Sequence, residues 1–353
     1  MKHENEFILN ACKYLDNNTE SDKKLNIDNL NMPYILGQLL YNRIGGVAYY
    51  TLVESNIIEK MNREFKNTLQ TIYETNIIKR NNFKQALNLL STILKNVDFP
   101  YALLKGSYLQ ELYPSGLRTS NDIDILIEFE NITYISNLLK QNGFKQGYIR
   151  NNIFNQATRA EVISSQMNRG ETIPFVKELN FPFMKFLEID INISLDFKPE
   201  KDKSLVKELL KNCCSDIKTE NGTLNTLSKD DFLIQLCCHL YKEATTYNWV
   251  EFGRDQGLYK YLDIYMFLKK FPDVLNHSKI ISMGLEKECY YAIFNTSKLF
   301  NLDITLDNLN INDTNFMNMI FNIQTNKSYV FDMDIIDWVF CEKRGKILSE
   351  IDV

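Results

Sequence analysis

The sequence predicts an α+β protein, a small mixed sheet with helices, wrapped by N- and C-terminal helical regions. Three observations predict it. Apolar residues recur at helical spacing before residue 98 and again beyond about 205. Between those regions, Tyr101–Leu104 and Ile123–Phe129 are apolar runs of strand length. Residues Phe186–Phe197 alternate strictly between apolar and polar, the period of a strand with one face buried. The expected organisation is an N-terminal helical region over 1–98, a core over 99–200 and a C-terminal helical region over 201–353.

In the first region, Met61, Phe65, Leu69 and Ile72, then Phe83, Leu87, Leu90 and Leu94, predict a long helix from about 58 to 96. Continuing that face puts Asn76 and Arg80 where apolar residues belong. A bend or an exit to solvent would account for them. The sharper alternative is a helix that crosses a binding cleft, with Arg80 or Lys79 meeting phosphate.

In the core, Ser107–Tyr113 reads as a short helix stopped by Pro114. Ile132–Gln141 is a helix closed by the C-cap signal Asn142-Gly143, and Phe144–Ile149 an edge strand. Residues 150–180 are polar and irregular and receive no element. In Phe186–Phe197, Leu187, Ile189, Ile191, Ile193 and Leu195 face one way. Glu188, Asp190, Asn192, Ser194 and Asp196 face the other, an unusually acidic face. Beyond 205 the chain reads helical again. Leu227-Ser228-Lys229-Asp230-Asp231 opens a helix to about Ala244, and Leu258–Lys270 is amphipathic. Residues 300–353 are less regular.

The 353 residues allow a sizeable core, with 44% hydrophobic and 24% charged residues. A net charge of −5 argues against a dedicated nucleic-acid binder, which usually carries a basic face. The seven cysteines show no CxxC spacing, and with three histidines a zinc site is not expected. The odd cysteine count and the lack of a secretory leader predict a reducing cytoplasm. No run of about 18 apolar residues predicts a membrane span.

The chemistry lies in Tyr101–Glu128, YALLKGSYLQELYPSGLRTSNDIDILIE. Asp122 and Asp124, one residue apart on a strand, point to one face. Two like charges held together are costly unless a cation neutralises them. Upstream, Gly106-Ser107 sits between a strand and a short helix, where free backbone N–H groups can cradle phosphate. A solvated strand end would be the bland account of the two carboxylates. A third acid from a neighbouring strand would share a metal or accept a hydroxyl proton. Asp190 is the first choice and Glu188 the runner-up.

This run resembles the nucleotidyltransferase superfold, whose signature is Gly-Ser, a short gap, then an acidic-apolar-acidic triplet on a strand. More narrowly it resembles a bacterial nucleotidyltransferase family with a core of Lys-Gly, Tyr-Pro, Arg and Asp-Ile-Asp-Ile-Leu. Here those are Lys105-Gly106, Tyr113-Pro114, Arg118 and Asp122–Leu126. The narrower family has an Asp-apolar-His-aromatic pattern on the next strand. Asp190 matches its acid, but Asn192 replaces the His and Ile193 the aromatic. Leu236–His239 and Tyr261–Ile264 also resemble family segments; His239 could pair with Asp263 and close the cleft, or serve as a structural histidine on its helix.

The resemblance implies a nucleotidyltransferase-like fold. It implies Mg²⁺ (or Mn²⁺) held by Asp122, Asp124 and Asp190, with ATP or another NTP as substrate. Gly106, Ser107, Lys105 and Arg118 would bind the nucleotide. The acceptor would be a small molecule or a peptide or protein, and nucleic acid and membrane partners are not expected. The alternative from another class is an inactive nucleotide-binding or scaffold protein on the same fold, which the missing His favours and the intact carboxylates oppose.

Overall fold

Residues 2–15, 25–168, 170–195 and 204–351 are described in the computed structural model. They form two units, Met1–Tyr73 with Leu236–Val353, and Glu74–Gln235. The first unit opens with three helices, α1 (His3–Ala11), α2 (Met32–Tyr41) and α3 (Gly45–Glu54). A long helix, α4 (Arg63–Leu94), begins in this unit and ends in the second.

The apolar stripes of α4 are buried as their spacing predicts: Phe65, Leu69, Phe83, Leu87 and Leu90 are almost wholly enclosed. Its polar break is neither a bend nor an exit to solvent. The helix is continuous, and Asn76 and Arg80 turn inward to loop carbonyls. Asn76 Nδ2 donates to Gly116 O at 3.0 Å and Arg80 Nη1 to Tyr113 O at 3.1 Å. A loop carbonyl without a partner would be costly to bury, so polar residues are what this stretch of helix needs.

The second unit is built on an eight-stranded mixed sheet. Its elements in chain order are β1 (Tyr101–Leu103), α5 (Gly106–Leu112), β2 (Asp122–Ile127), α6 (Ile132–Gln141), β3 (Lys145–Arg150) and β4 (Ile153–Gln156). Then follow α7 (Arg159–Asn168), β5 (Phe175–Phe181), β6 (Met184–Asn192), α8 (Ser204–Leu210), β7 (Cys214–Thr219), β8 (Gly222–Thr226) and α9 (Lys229–Ala244). The strand order is β4-β3-β5-β6-β2-β1-β8-β7. β2 runs parallel to β6 and β1 parallel to β8, and the other neighbours are antiparallel. The sheet is mixed, as the fold class requires.

Local signals explain most of these elements. α6 buries Ile132, Ile135 and Leu139 along one stripe, each worth about 1.5–3 kcal/mol if fully removed from water. It ends in a Schellman motif: Gly143, at φ +84°, donates its N–H to Lys140 O, and Phe144 donates to Leu139 O. The 144–149 strand exists as β3 but is not an edge, because β4 covers it. Asn151 and Asn152, both at positive φ, make the two-residue turn of that hairpin. The 205–226 stretch is not all helical either. Cys214–Thr219 and Gly222–Thr226 form a hairpin that extends the sheet beyond β1, and the Asn221-Gly222 turn signal marks it. The hairpin is tied to α4, with Thr219 Oγ1 donating to Ser91 Oγ at 2.9 Å and Glu220 N to Asn88 Oδ1 at 3.0 Å.

α9 passes from the second unit into the first, which continues with α10 (Tyr247–Glu251), α11 (Leu258–Lys270), α12 (His277–Met283) and α13 (Glu286–Phe300). The less regular tail contains a three-stranded antiparallel sheet, β9 (Met319–Asn322), β10 (Lys327–Val330) and β11 (Ser349–Ile351), with α14 (Ile335–Val339) before the last strand. A buried ion pair fastens this tail. Asp255 accepts from Arg344 Nη1 at 2.5 Å and from Trp338 Nε1 at 3.0 Å, while Arg344 also donates to the carbonyls of Trp338 and Val339. Such a pair holds only because every donor finds a partner. Among the described residues, no helix is long and apolar enough to cross a membrane.

Candidate active site

The acidic face is assembled within the second unit from two parallel strands. In the register of β2 with β6, Asp122 lies opposite Glu188, Asp124 opposite Asp190, and Leu126 opposite Asn192. Since alternate residues share a face, Asp122, Asp124, Glu188, Asp190 and Asn192 all project to one side. The apolar partners Ile123, Ile125, Leu187, Ile189 and Ile191 are fully buried on the other. The expected alternation of 186–197 holds over 187–192, where β6 ends; Ile193, Ser194 and Leu195 beyond it are all buried. Asp196 lies outside the described residues.

The carboxylates sit at different depths. Asp122 is exposed and Asp124 is buried. Burial pushes the Asp124 carboxyl above the usual range, partly offset by Lys105 and increased by Asp122. Asp190 is raised well above that range, by burial first and then by Asp124, Asp122 and Glu171. Glu188 is raised by burial and by Asp122. Glu171 is a further acid that sequence reasoning missed. It pairs with Asn192 in an isolated antiparallel bridge on the far edge of β6, and so joins the same face. No pattern in 150–180 marks it, because a single bridge needs no strand periodicity.

Lys105 brings a positive charge to this face. Lys105 Nζ donates to Asp124 Oδ1 at 2.7 Å. The same oxygen accepts from Asn192 Nδ2 at 3.2 Å. Lys105 follows β1 with φ +46° and ψ −122°, a region that L-residues rarely adopt and that costs on the order of 1–3 kcal/mol. Ser120, also missed from sequence, donates through Oγ to Asp122 Oδ1 at 3.0 Å. Among the described residues, no three His, Cys, Asp or Glu side chains converge as donors around a metal ion.

The remaining sequence candidates are placed as follows. Gly106 and Ser107 open α5 and are buried. Ser107 N–H donates to Leu104 O at 3.2 Å, and Ser107 Oγ has no hydrogen-bond partner among the described residues. In this conformation Ser107 does not face solvent as a phosphate cradle would. Arg118 is half-buried and its Nη1 donates to Thr119 O. Arg80 is buried against the Tyr113 carbonyl. His239 and Asp263 belong to the first unit. His239 Nε2 lies 3.4 Å from Glu243 Oε2 one turn along α9, and Glu243 also pairs with Lys260. Asp263 is buried and its charge adds to the burial that raises the Tyr14 hydroxyl.

The raised carboxyls make a stability prediction. Asp124 and Asp190 hold protons more tightly folded than unfolded. Between the ordinary carboxylate range, about pH 4, and their raised values, the folded chain binds more protons. Stability from these groups therefore falls as pH rises through that window. Asp190→Asn removes one of the charges and is expected to raise the Tm at about pH 8, with the gain fading by about pH 4. Thermal unfolding across pH reads this directly. A lower Tm for the variant at about pH 8 would contradict it.

No curated protein matches the chain. Among solved structures it is similar to an antigenic nucleotidyltransferase-like protein from Paracoccidioides brasiliensis, with 12% identity and a TM-score of 0.37. That match covers 61% of this chain and 87% of the other. A family model described as "Uncharacterised nucleotidyltransferase" matches residues 29–301, a span that contains every carboxylate of the acidic face, and the chain belongs to that family.

Proposed function

We propose that the protein is a Mg²⁺-dependent nucleotidyltransferase that moves a nucleoside monophosphate, AMP from ATP as the first choice, to an acceptor on a small molecule or on a peptide or protein, releasing pyrophosphate. The observation that carries this reading is the rung on which Asp124 and Asp190 lie side by side, with Asp122 one repeat away. The donor set is chemically suited to a hard divalent cation, all oxygen and mutually repelling, and the described side chains, which do not converge as they stand, would turn to meet it. Asp122, Asp124 and Asp190 would hold such an ion, which would neutralise charge on the phosphates and on the departing pyrophosphate.

The chain's own residues supply the rest. An acceptor hydroxyl oxygen attacks the α-phosphorus, the bond to pyrophosphate breaks, and the hydroxyl proton needs a base. Asp190, on the rung opposite Asp124, is the acid placed to take that proton or to share the metal. Lys105, which reaches the face, and Arg118, from the loop that leads into β2, would meet phosphate oxygens. Asn192 holds Asp124 Oδ1 and so fixes the carboxylate's orientation. The net charge of −5 favours an acceptor other than nucleic acid.

The test is incubation of the purified protein with each labelled NTP, Mg²⁺ and a host lysate, following label transfer and pyrophosphate. Metal-dependent transfer, absent when chelator is added, is the expected result. Metal-dependent NTP binding with no pyrophosphate would instead make the protein a nucleotide-binding scaffold.

A further inference from the structure

We propose that the Lys105 ammonium holds the place of a metal ion at Asp124, so that a divalent cation and Lys105 compete for that carboxylate. The inference rests on the metal-dependent reading above and concerns the nucleotide-free protein.

Three observations carry it. First, Lys105 Nζ is 2.7 Å from Asp124 Oδ1, the distance of a charge-assisted hydrogen bond, on a carboxylate that faces Asp190 across one rung. Second, the backbone at Lys105 is held at φ +46°, ψ −122°, where glycine would be at ease and lysine is not. An observed outlier of this kind points to a role for the side chain it carries, because glycine there would relieve the strain and lose the ammonium. Third, the Lys105 side chain keeps 22% of its exposure while that of Asp124 keeps 6%. The lysine can leave toward solvent, whereas the carboxylate cannot.

The charge balance gives the direction. Asp122, Asp124 and Asp190, with Glu188 and Glu171 on the same face, outnumber the one ammonium bound to Asp124. A divalent cation compensates two, so it wins Asp124 once its own dehydration is repaid by the neighbouring oxygens. Lys105 is then released at the edge of the face with a flexible stem and three donors, ready for phosphate oxygens. The same residue would keep the acids apart in the empty protein and grip the nucleotide in the loaded one. The exchange is a ligand substitution and forms no covalent bond.

The experiment is Mn²⁺ binding to the nucleotide-free protein, read by electron paramagnetic resonance of the free ion. Lys105→Met is expected to tighten Mn²⁺ roughly tenfold or more, the scale on which a neighbouring charge alters a carboxylate site. Lys105→Arg should stay near wild type, and Asp124→Asn should abolish binding in either background. In the unaltered protein, Mn²⁺ should raise the reactivity of Lys105 toward an amine-acylating reagent, read by peptide mass spectrometry, which keeps the test alive if Lys105→Met folds poorly. Asp124-dependent Mn²⁺ binding that is equal or weaker in a folded Lys105→Met protein, or Lys105 reactivity unchanged by Mn²⁺, would overturn the competition and leave the transferase reading standing. No Asp124-dependent binding in any variant would overturn both.

Discussion

Asp190→Asn is expected to lower the transfer rate at least about 100-fold, the scale of a lost general base or metal ligand, while Glu188→Gln lowers it less than about tenfold. The two residues are one strand repeat apart on the same face, so composition cannot rank them. Register can. Asp190 lies opposite Asp124, the buried member of the β2 pair, and Glu188 lies opposite the exposed Asp122. A group facing Asp124 shares its low-dielectric surroundings and feels its charge, which is why Asp190 is raised furthest above its ordinary range. Asp124→Asn should be at least as damaging, since it also removes the acceptor of Lys105 and Asn192. Steady-state rates with the nucleotide and acceptor found by label transfer would measure all three. Greater loss from Glu188→Gln than from Asp190→Asn would place the third carboxylate one rung away. The predicted gain in Tm for Asp190→Asn sharpens the argument, because a variant that is more stable and far slower has lost chemistry rather than fold.

The parts of this protein legible in its sequence are those governed by periodicity. The 3.6-residue stripes of α4 and α6 and the two-residue alternation of β6 follow from burial of one face, so the residues themselves announce the elements. The pair Asp122 and Asp124 was legible for the same reason. What was not legible depends on pairing between distant segments. The hairpin of β7 and β8 lies in a stretch read as helical, because its strands are short and polar and only Asn221-Gly222 marks the turn. Asn151-Asn152 is a comparable signal in a region that received no element. Glu171 reaches the acidic face through one bridge to Asn192, and the bond from Lys105 to Asp124 crosses from the end of β1 to β2. Neither contact has a local spacing that could have revealed it. Asn76 and Arg80 of α4 suggest a bend, an exit to solvent or a cleft in the sequence because their partners, the carbonyls of Gly116 and Tyr113, lie 40 and 33 residues further along the chain.

Gly106→Ala is expected to destabilise the protein by about 1–3 kcal/mol, the cost of overpacking a fitted contact, and Ser120→Gly in that background should recover most of the loss. A Cβ at position 106 would lie 2.3 Å from Ser120 Oγ and 2.5 Å from Ser120 Cβ, with the Ser120 Cα at 3.8 Å. The first two distances are well inside van der Waals contact, and rotating a serine cannot clear its own Cβ. The backbone around Ser120 must therefore move, and both colliding atoms vanish when residue 120 is glycine. The glycine at 106 is thus required by the close approach of the loop that leads into β2. Function should follow the loop: Ser120 Oγ donates to Asp122 Oδ1, so displacing Ser120 displaces the first carboxylate of the acidic face. Transfer should fall in Gly106→Ala by more than its stability loss explains at a temperature where the variant is folded, and should return in part in the double variant. Urea unfolding of the wild type, both single variants and the double variant gives the coupling energy. Additive effects, or a neutral Gly106→Ala, would mean that the loop yields easily and that glycine serves another purpose at this turn.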